Sequence, residues 1–281
     1  MRARIVIVAS CMLVCGGLAT GLGAAQAPPP TVTVTLGPGP AVSVSGAENL
    51  PAGPARIEFR TEGRRPASGS LVALRPGQTL DAVQRAVRQS EESFAPLKRV
   101  VTFEAGGSAL RGAPYATTVD LKPGVTYVAA NTSGNPRNFR YATFTVGTAA
   151  GGAERPAPAA TVGLYDYAFG MPATLPRRGT VRFENRGERL HIAVAFPLKR
   201  GASRTAAVRA LINNREKRLG KLIVGRDVRD VLGLVSGGSV NDVEVNFPRT
   251  GNYVLACFIS DGEPGSPGHN KIGMVTPFRV R

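Results

Sequence analysis

Apolar and polar residues alternate strictly over Thr31 to Leu36 (T-V-T-V-T-L) and Ala41 to Gly46 (A-V-S-V-S-G), the period of a half-buried strand. The same reading predicts strands at Ala55 to Phe59, Ser70 to Leu74, Val100 to Phe103, Thr117 to Leu121, Thr126 to Ala130 and Arg140 to Val146, separated by Gly, Pro and Asn. Thr79 to Ser90 breaks this rhythm. Leu80, Val83 and Val87 recur there at helical spacing behind a capping Thr79, which predicts one short surface helix. A second run of strands follows at Val162 to Ala168, Thr180 to Asn185, His191 to Phe196, Ser239 to Phe247, Tyr253 to Ile259 and Gly273 to Val280. Between Arg200 and Gly237 the spacing of Ala207, Leu211, Val228, Val231, Leu232 and Val235 predicts a helical insertion. Many short strands with turn residues between them make a mainly β chain of sandwich or barrel type.

The stretch Thr148 to Ala160 (T-A-A-G-G-A-E-R-P-A-P-A-A) has no periodicity and no face to bury, so it divides the chain. The expected organisation is a first domain over 28–147, a linker over 148–160 and a second domain over 161–281. The two domains align with each other. Phe59, Gly63, Leu74 and Gly77 match Phe183, Gly187, Leu198 and Gly201 at a constant offset, Leu50-Pro51 matches Leu175-Pro176 one residue out of that register, and farther on Tyr127-Val128 matches Tyr253-Val254.

The N-terminus carries Arg2 and Arg4, then an apolar stretch from Ile5 to Leu22, then Gly23, Ala24, Ala25 and Ala27, the pattern of an export signal over 1–25. Cleavage after Ala25 is favoured over cleavage after Ala27, which would put Pro28 first; retention as an uncleaved anchor is the alternative. Cys11 and Cys15 belong to that apolar segment. The mature chain then holds a single cysteine, Cys257, in an oxidising compartment where an unpaired thiol needs a reason. A net charge of +16 favours an anionic partner, whether an acidic protein or an envelope surface, and export makes nucleic acid the least expected one. Ten Lys or Arg against two acids fall between Lys199 and Arg229, on the helical insertion. A solvated helix face is the plain reading of that run, and an anionic docking patch the sharper one.

The C-terminal run Y-V-L-A-C-F-I-S-D-G-E-P-G-S-P-G-H-N-K-I-G-M places Cys257, His269 and Met274 on one loop. Thiolate, imidazole and a weak thioether are the donors that suit copper in a His2Cys site with a distant Met, and the site needs one more histidine. The chain has only two, and the other is His191 at the start of a predicted strand. In the internal alignment Ala67 stands opposite His191 and Asn131 opposite Cys257, so the first domain is expected to carry no metal.

Here the second domain resembles the plastocyanin-like cupredoxins. The family pattern F-x-N-x5-H is met by Phe183, Asn185 and His191; G-x-Y-x3-C by Gly251, Tyr253 and Cys257; and His with Met five residues on by His269 and Met274. The resemblance implies two tandem cupredoxin-like Greek-key β-sandwiches, with one type 1 copper ion in the second. His191 and His269 would be its imidazole ligands, Cys257 its thiolate and Met274 its axial ligand, and the His269 ring edge would be partly exposed as the electron's exit. Two features depart from the family. Eleven residues separate Cys257 from His269, more than usual outside the copper nitrite reductases, and Ile192 stands where the family often has an Asn bracing the loop.

The function expected is an exported single-electron carrier that is not itself an enzyme, since four ligands leave no open position. The alternatives are an envelope copper-holding or delivery module, and a metal-free interaction protein. No nucleophile elbow, phosphate-cradling glycine loop or paired Cys/His zinc pattern is present, and multicopper oxidase chemistry would need more histidines than two.

Overall fold

The computed structural model of the protein describes residues 27–90, 94–133, 138–225, 230–262 and 265–281. The expected export signal with Cys11 and Cys15, together with Val228 and Pro264, lies outside the described residues. Among those residues, no helix is long and apolar enough to cross a membrane.

The first half contains β1 (Thr31–Leu36), β2 (Val42–Ser45), β3 (Gly53–Thr61), β4 (Ala67–Leu74), α1 (Leu80–Gln89), α2 (Ala95–Val100), β5 (Val101–Ala109), β6 (Tyr115–Leu121), β7 (Thr126–Asn131) and β8 (Tyr141–Thr145). The second contains β9 (Ala160–Tyr165), β10 (Ala168–Gly170), β11 (Thr174–Leu175), β12 (Arg178–Asn185), β13 (His191–Pro197), α3 (Arg204–Ile212), α4 (Glu216–Leu222), β14 (Asp230–Val235), β15 (Val240–Asn246), β16 (Gly251–Ala256) and β17 (Val275–Val280). The expected mainly β architecture, two tandem sandwiches each with a helical insertion, is the one adopted.

In the first half one sheet runs β2-β1-β3-β6 and faces a second running β5-β4-β7-β8; in the other half β10-β9-β12-β15 faces β14-β13-β16-β17-β11. The chain crosses between sheets at β3 to β4 and again at β12 to β13, and the helices follow immediately in both cases. α1 starts where the sequence places it, with the Thr79 hydroxyl accepting from Ala82 N–H and Val83, Ala86 and Val87 buried. Inward positions of facing strands make the core. Phe59 and Phe183 are fully buried, as are Tyr127 and Tyr253, which pack against Phe144 and Phe278 with ring centroids 5.4 Å apart in each half. Burying each such ring contributes roughly 1.5–3 kcal/mol. A second, smaller core lies outside the β13–β16–β17 layer, where Ala207, Leu211 and Ile223 cover Val194, Phe196 and Val254.

One sequence expectation is corrected. Val231 to Val235 form strand, not helix: β14 pairs antiparallel with β13, His191 standing opposite Val235, and the register shifts between Ala193 and Val194. The valine-rich run with Gly233 at φ +155° suits an irregular strand, and pairing with β13 overrides the apparent helical spacing.

The two halves are not joined by the linker alone. β15 pairs antiparallel with β6, Asp242 opposite Thr118 and Val243 opposite Thr117, so one eight-stranded sheet runs through both. Two ionic clamps span that seam. Arg56 of β3 forks onto Glu244 at 2.5 and 2.9 Å. Arg155, in the stretch read as a linker, bonds Asp242 at 2.7 Å, Asp120 at 2.5 Å and the carbonyls of Thr118 and Val240 at 3.1 Å.

Candidate metal centre

His191 opens β13, and the turn before it is fixed by Asn185. That side chain donates to the carbonyls of Arg189 at 2.7 Å and Val235 at 2.8 Å, and accepts from Gly187 N–H at 3.1 Å. Asp166, between β9 and β10, reaches the same turn and accepts from the N–H groups of Glu188 at 3.0 Å and Arg189 at 3.2 Å. Gly187 permits this approach, because a Cβ there would collide with the Asp166 carboxylate. The other bond to Asp166 comes from His191 Nε2 at 2.9 Å.

Cys257 follows β16. Its N–H donates to Met274 O at 3.1 Å, and its Sγ accepts from Ile192 N–H at 3.4 Å, so the backbone at Ile192 braces the sulfur. The long loop after it folds back on itself: His269 N–H reaches Ile259 O at 2.8 Å and Asn270 N–H reaches Cys257 O at 2.6 Å. The Asn270 amide, buried, donates to Leu211 O at 2.8 Å and ties the loop to α3. His269–Ile272 forms one 3-10 turn, and Gly273 at φ +111° turns the chain so that Met274 N–H meets His269 O at 2.9 Å. The eleven-residue span thus returns His269 to Cys257.

His191, Cys257, His269 and Met274 are all fully buried. The two Nδ1 atoms lie 3.1 Å apart, and Sγ lies 3.8 Å from that of His191 and 3.5 Å from that of His269. The point equidistant from the three is about 2.0 Å from each, the length of first-row metal bonds to imidazole. Met274 adjoins this trio through its backbone bonds to Cys257 and His269.

The protonation pattern decides what the trio can hold. Burial lowers the pKa of both imidazoles despite the carboxylates beside them, so both rings are neutral near pH 7. Burial opposes ionisation of Asp166 and Asp261, but the hydrogen bonds they accept outweigh it and hold both below the usual carboxylate value. Ionised carboxylates only accept, so His191 Nε2 donates to Asp166 and His269 Nε2 donates to Asp261 Oδ1 at 3.2 Å. Each Nδ1 therefore presents a bare lone pair toward the other. The Cys257 thiol, pushed up to about 11 by burial, brings a single proton to the three. Three converging donor atoms with one proton between them fit a cation that displaces it.

The expectation of an exposed His269 edge is corrected. The longer loop carries Asp261 over Nε2, and Tyr167 packs on the ring at 4.8 Å, its hydroxyl donating to Asp261 Oδ2 at 2.6 Å. Exposed apolar side chains beside the site are instead Phe258, 42 % accessible and edge-on to Phe196, and Ile272, 46 % accessible. Asp166, Asp261, Tyr167 and Asn270 are the site residues that the sequence reading missed. The signals were an acid four residues after the cysteine, the Tyr-Asp-Tyr turn after β9, and an Asn directly after the second histidine rather than the first. Among the described residues the first half has no such trio: Asn131, which ends β7 as Cys257 follows β16, donates to the carbonyls of Gly37, Gly39 and Ala41. It does reach the metal loop, where Lys98 Nζ donates to Asp261 O at 3.1 Å.

No family model matches the chain, and no curated protein matches it. Among solved structures, a reduced auracyanin from Roseiflexus castenholzii is similar over 43 % of this chain and 94 % of its own, with 17 % identity and a TM-score of 0.27. A copper-containing nitrite reductase from Thermus scotoductus covers 91 % of this chain and 68 % of its own at 13 % identity and 0.24. A multi-copper oxidase from Pediococcus acidilactici covers 90 % and 59 % at 12 % and 0.23. These scores are low, and the reading of the site rests on its own side chains. At one end of a two-sheet sandwich, the buried His191, Cys257 and His269 with Met274 beside them are compatible with a single type 1 copper ion.

Proposed function

We propose that the protein is an exported single-electron carrier holding one copper ion through His191, Cys257, His269 and Met274. The observation that carries this reading is the convergence of two bare imidazole nitrogens and one thiol within 3.8 Å, each imidazole oriented by its own carboxylate. Copper bound there supplies a one-electron change between its cupric and cuprous states. The chain supplies the rest. β13 and the folded-back loop hold the donors rigidly, and full burial keeps water from becoming an extra ligand. Four ligands in a buried pocket leave no position for a substrate, so the role is transfer rather than catalysis. With His269 covered, the electron's route to a partner runs through Cys257 and its exposed neighbour Phe258.

The partner we infer is an anionic redox protein or envelope surface. Lys199, Arg200, Arg204, Arg209, Lys217 and Arg218 are exposed on and around α3 and α4, and Asn270 ties α3 to the metal loop, so this charge sits beside the site. Encounter rates would then fall steeply with salt. Burial of every ligand counts against the delivery alternative, which needs ligands a recipient can reach. The matching strand order of the two halves supports an internal duplication in which the first half serves as scaffold.

Copper loading and an absorption spectrum test the assignment. An intense visible thiolate-to-copper band that is lost in Cys257→Ser is expected. A copper-loaded protein without that band, or one that keeps it in Cys257→Ser, overturns the assignment.

A further inference from the structure

We propose that the first half carries a binding site for a planar, uncharged ring molecule bearing one or two oxygen substituents. The site is a cavity of about 350 Å³ between α1, α2 and the outer face of the β5-β4-β7-β8 sheet. This volume lies in the range of small-molecule pockets.

The register of two strands makes the cavity. Ser68 stands opposite Ser108, Gly69 opposite Gly107 and Ser70 opposite Gly106, so this strip of the floor carries nothing larger than a hydroxymethyl group, with Val72, Val128 and Ala130 beside it. Over it stand Val83 and Val87 of α1, Leu97 of α2, and Phe94, whose ring meets that of Phe103 on β5 edge to face at 5.7 Å. A flat floor under an apolar roof selects a planar molecule. Among the described residues none that lines the cavity is charged, so an ion entering against them would lose its hydration without compensation, and neutral molecules are favoured. The hydroxyls of Ser68, Ser70 and Ser108, with those of the other lining residues Ser90, Thr132 and Tyr141, are groups that can hydrogen-bond a ring oxygen.

The far wall belongs to the other half. Ile192, Leu234 and Ile259 close the cavity, and Ile192 is the residue whose N–H braces the Cys257 sulfur. The occupant would therefore lie one layer of side chains from the metal site. The inference itself does not depend on copper, and its test uses metal-free protein so that the two readings fail separately.

Calorimetric titration of the metal-free protein with 2-naphthol, planar and uncharged at pH 7, is expected to give saturable one-to-one binding, with no binding of the anionic 2-naphthoate. Ala130→Phe, which fills the space from β7, is expected to weaken 2-naphthol at least tenfold while the circular dichroism spectrum stays unchanged. Val87→Phe fills it from α1 and decides the matter if Ala130→Phe fails to fold. Absence of 2-naphthol binding, equal binding of 2-naphthoate, or binding that survives a folded cavity-filling variant would each overturn the proposal. Tighter binding of decanol than of 2-naphthol would overturn the planar preference.

Discussion

Removing the Asp261 side chain tests how the centre is held. Its Oδ1 takes the His269 Nε2 proton, its Oδ2 takes the Tyr167 hydroxyl at 2.6 Å, and the Arg189 guanidinium stands 3.7 Å away. In Asp261→Ala the imidazole loses the acceptor that fixes its tautomer and turns Nδ1 inward. Outer partners of this kind are worth 10- to 100-fold in metal affinity, or about 1.4–2.7 kcal/mol. The 3.2 Å bond is not short and the side chain is 24 % exposed, so about 30-fold is the expected loss. Asp261→Asn separates charge from geometry. Its oxygen still accepts from His269 and its amide can donate to the Tyr167 oxygen, so about fivefold or less is expected. Competition with a chelator of known affinity, followed by the thiolate-to-copper band, measures both. If Asp261→Ala binds copper within about twofold of the unaltered protein, the carboxylate does not orient the ring and the account of the lone pairs fails.

Arg155→Ala is expected to destabilise the protein by about 2–3 kcal/mol in urea unfolding, below the usual cost of breaking a buried pair because Arg182 still bonds the fully buried Asp242 at 2.7 and 3.1 Å. Stability equal to the unaltered protein would show that the seam does not need the clamp. The metal-free protein should lose stability as the pH falls below 6.5. Both histidines titrate below that value when folded, so the unfolded chain takes up protons first. A second loss begins below 3.8, the ordinary aspartate value, and completes as the pH falls through the lowered folded values of Asp166 and Asp261. A melting temperature flat between pH 7.5 and 5.5 would contradict the first part. Asn270→Ala removes the side-chain donor to the Leu211 carbonyl, which keeps the Asn214 N–H at 3.2 Å, and should cost about 1 kcal/mol, seen as a lower melting temperature with the copper band retained. Free copper at a thousandfold its dissociation constant should stabilise the unaltered protein by about 4 kcal/mol, and Cys257→Ser should lose most of that in thermal unfolding.

Much of the fold was legible because alternation is a local signal. Thr31–Leu36 needed only its own six residues to declare a strand, and Leu80, Val83 and Val87 declared α1. The candidate ligands were legible for a different reason: with two histidines and one cysteine outside the apolar N-terminal stretch, few assignments were open. What escaped depends on contacts between distant residues. β14 looked helical because its neighbour across the sheet, β13, is far away in sequence. Asp166 joins His191 over 25 residues, and nothing within the Tyr-Asp-Tyr turn reveals that partner. The covered edge of His269 follows from where the loop lands rather than from its composition.

The short pairing of β6 with β15 bears on how the molecule can be taken apart. A sandwich cut free at the linker would end in a strand with open amide and carbonyl groups along one margin, the template on which chains add to one another. Each half therefore shields the other's sticky margin. The second half expressed alone would be expected to self-associate through β15, seen as concentration-dependent growth in light scattering.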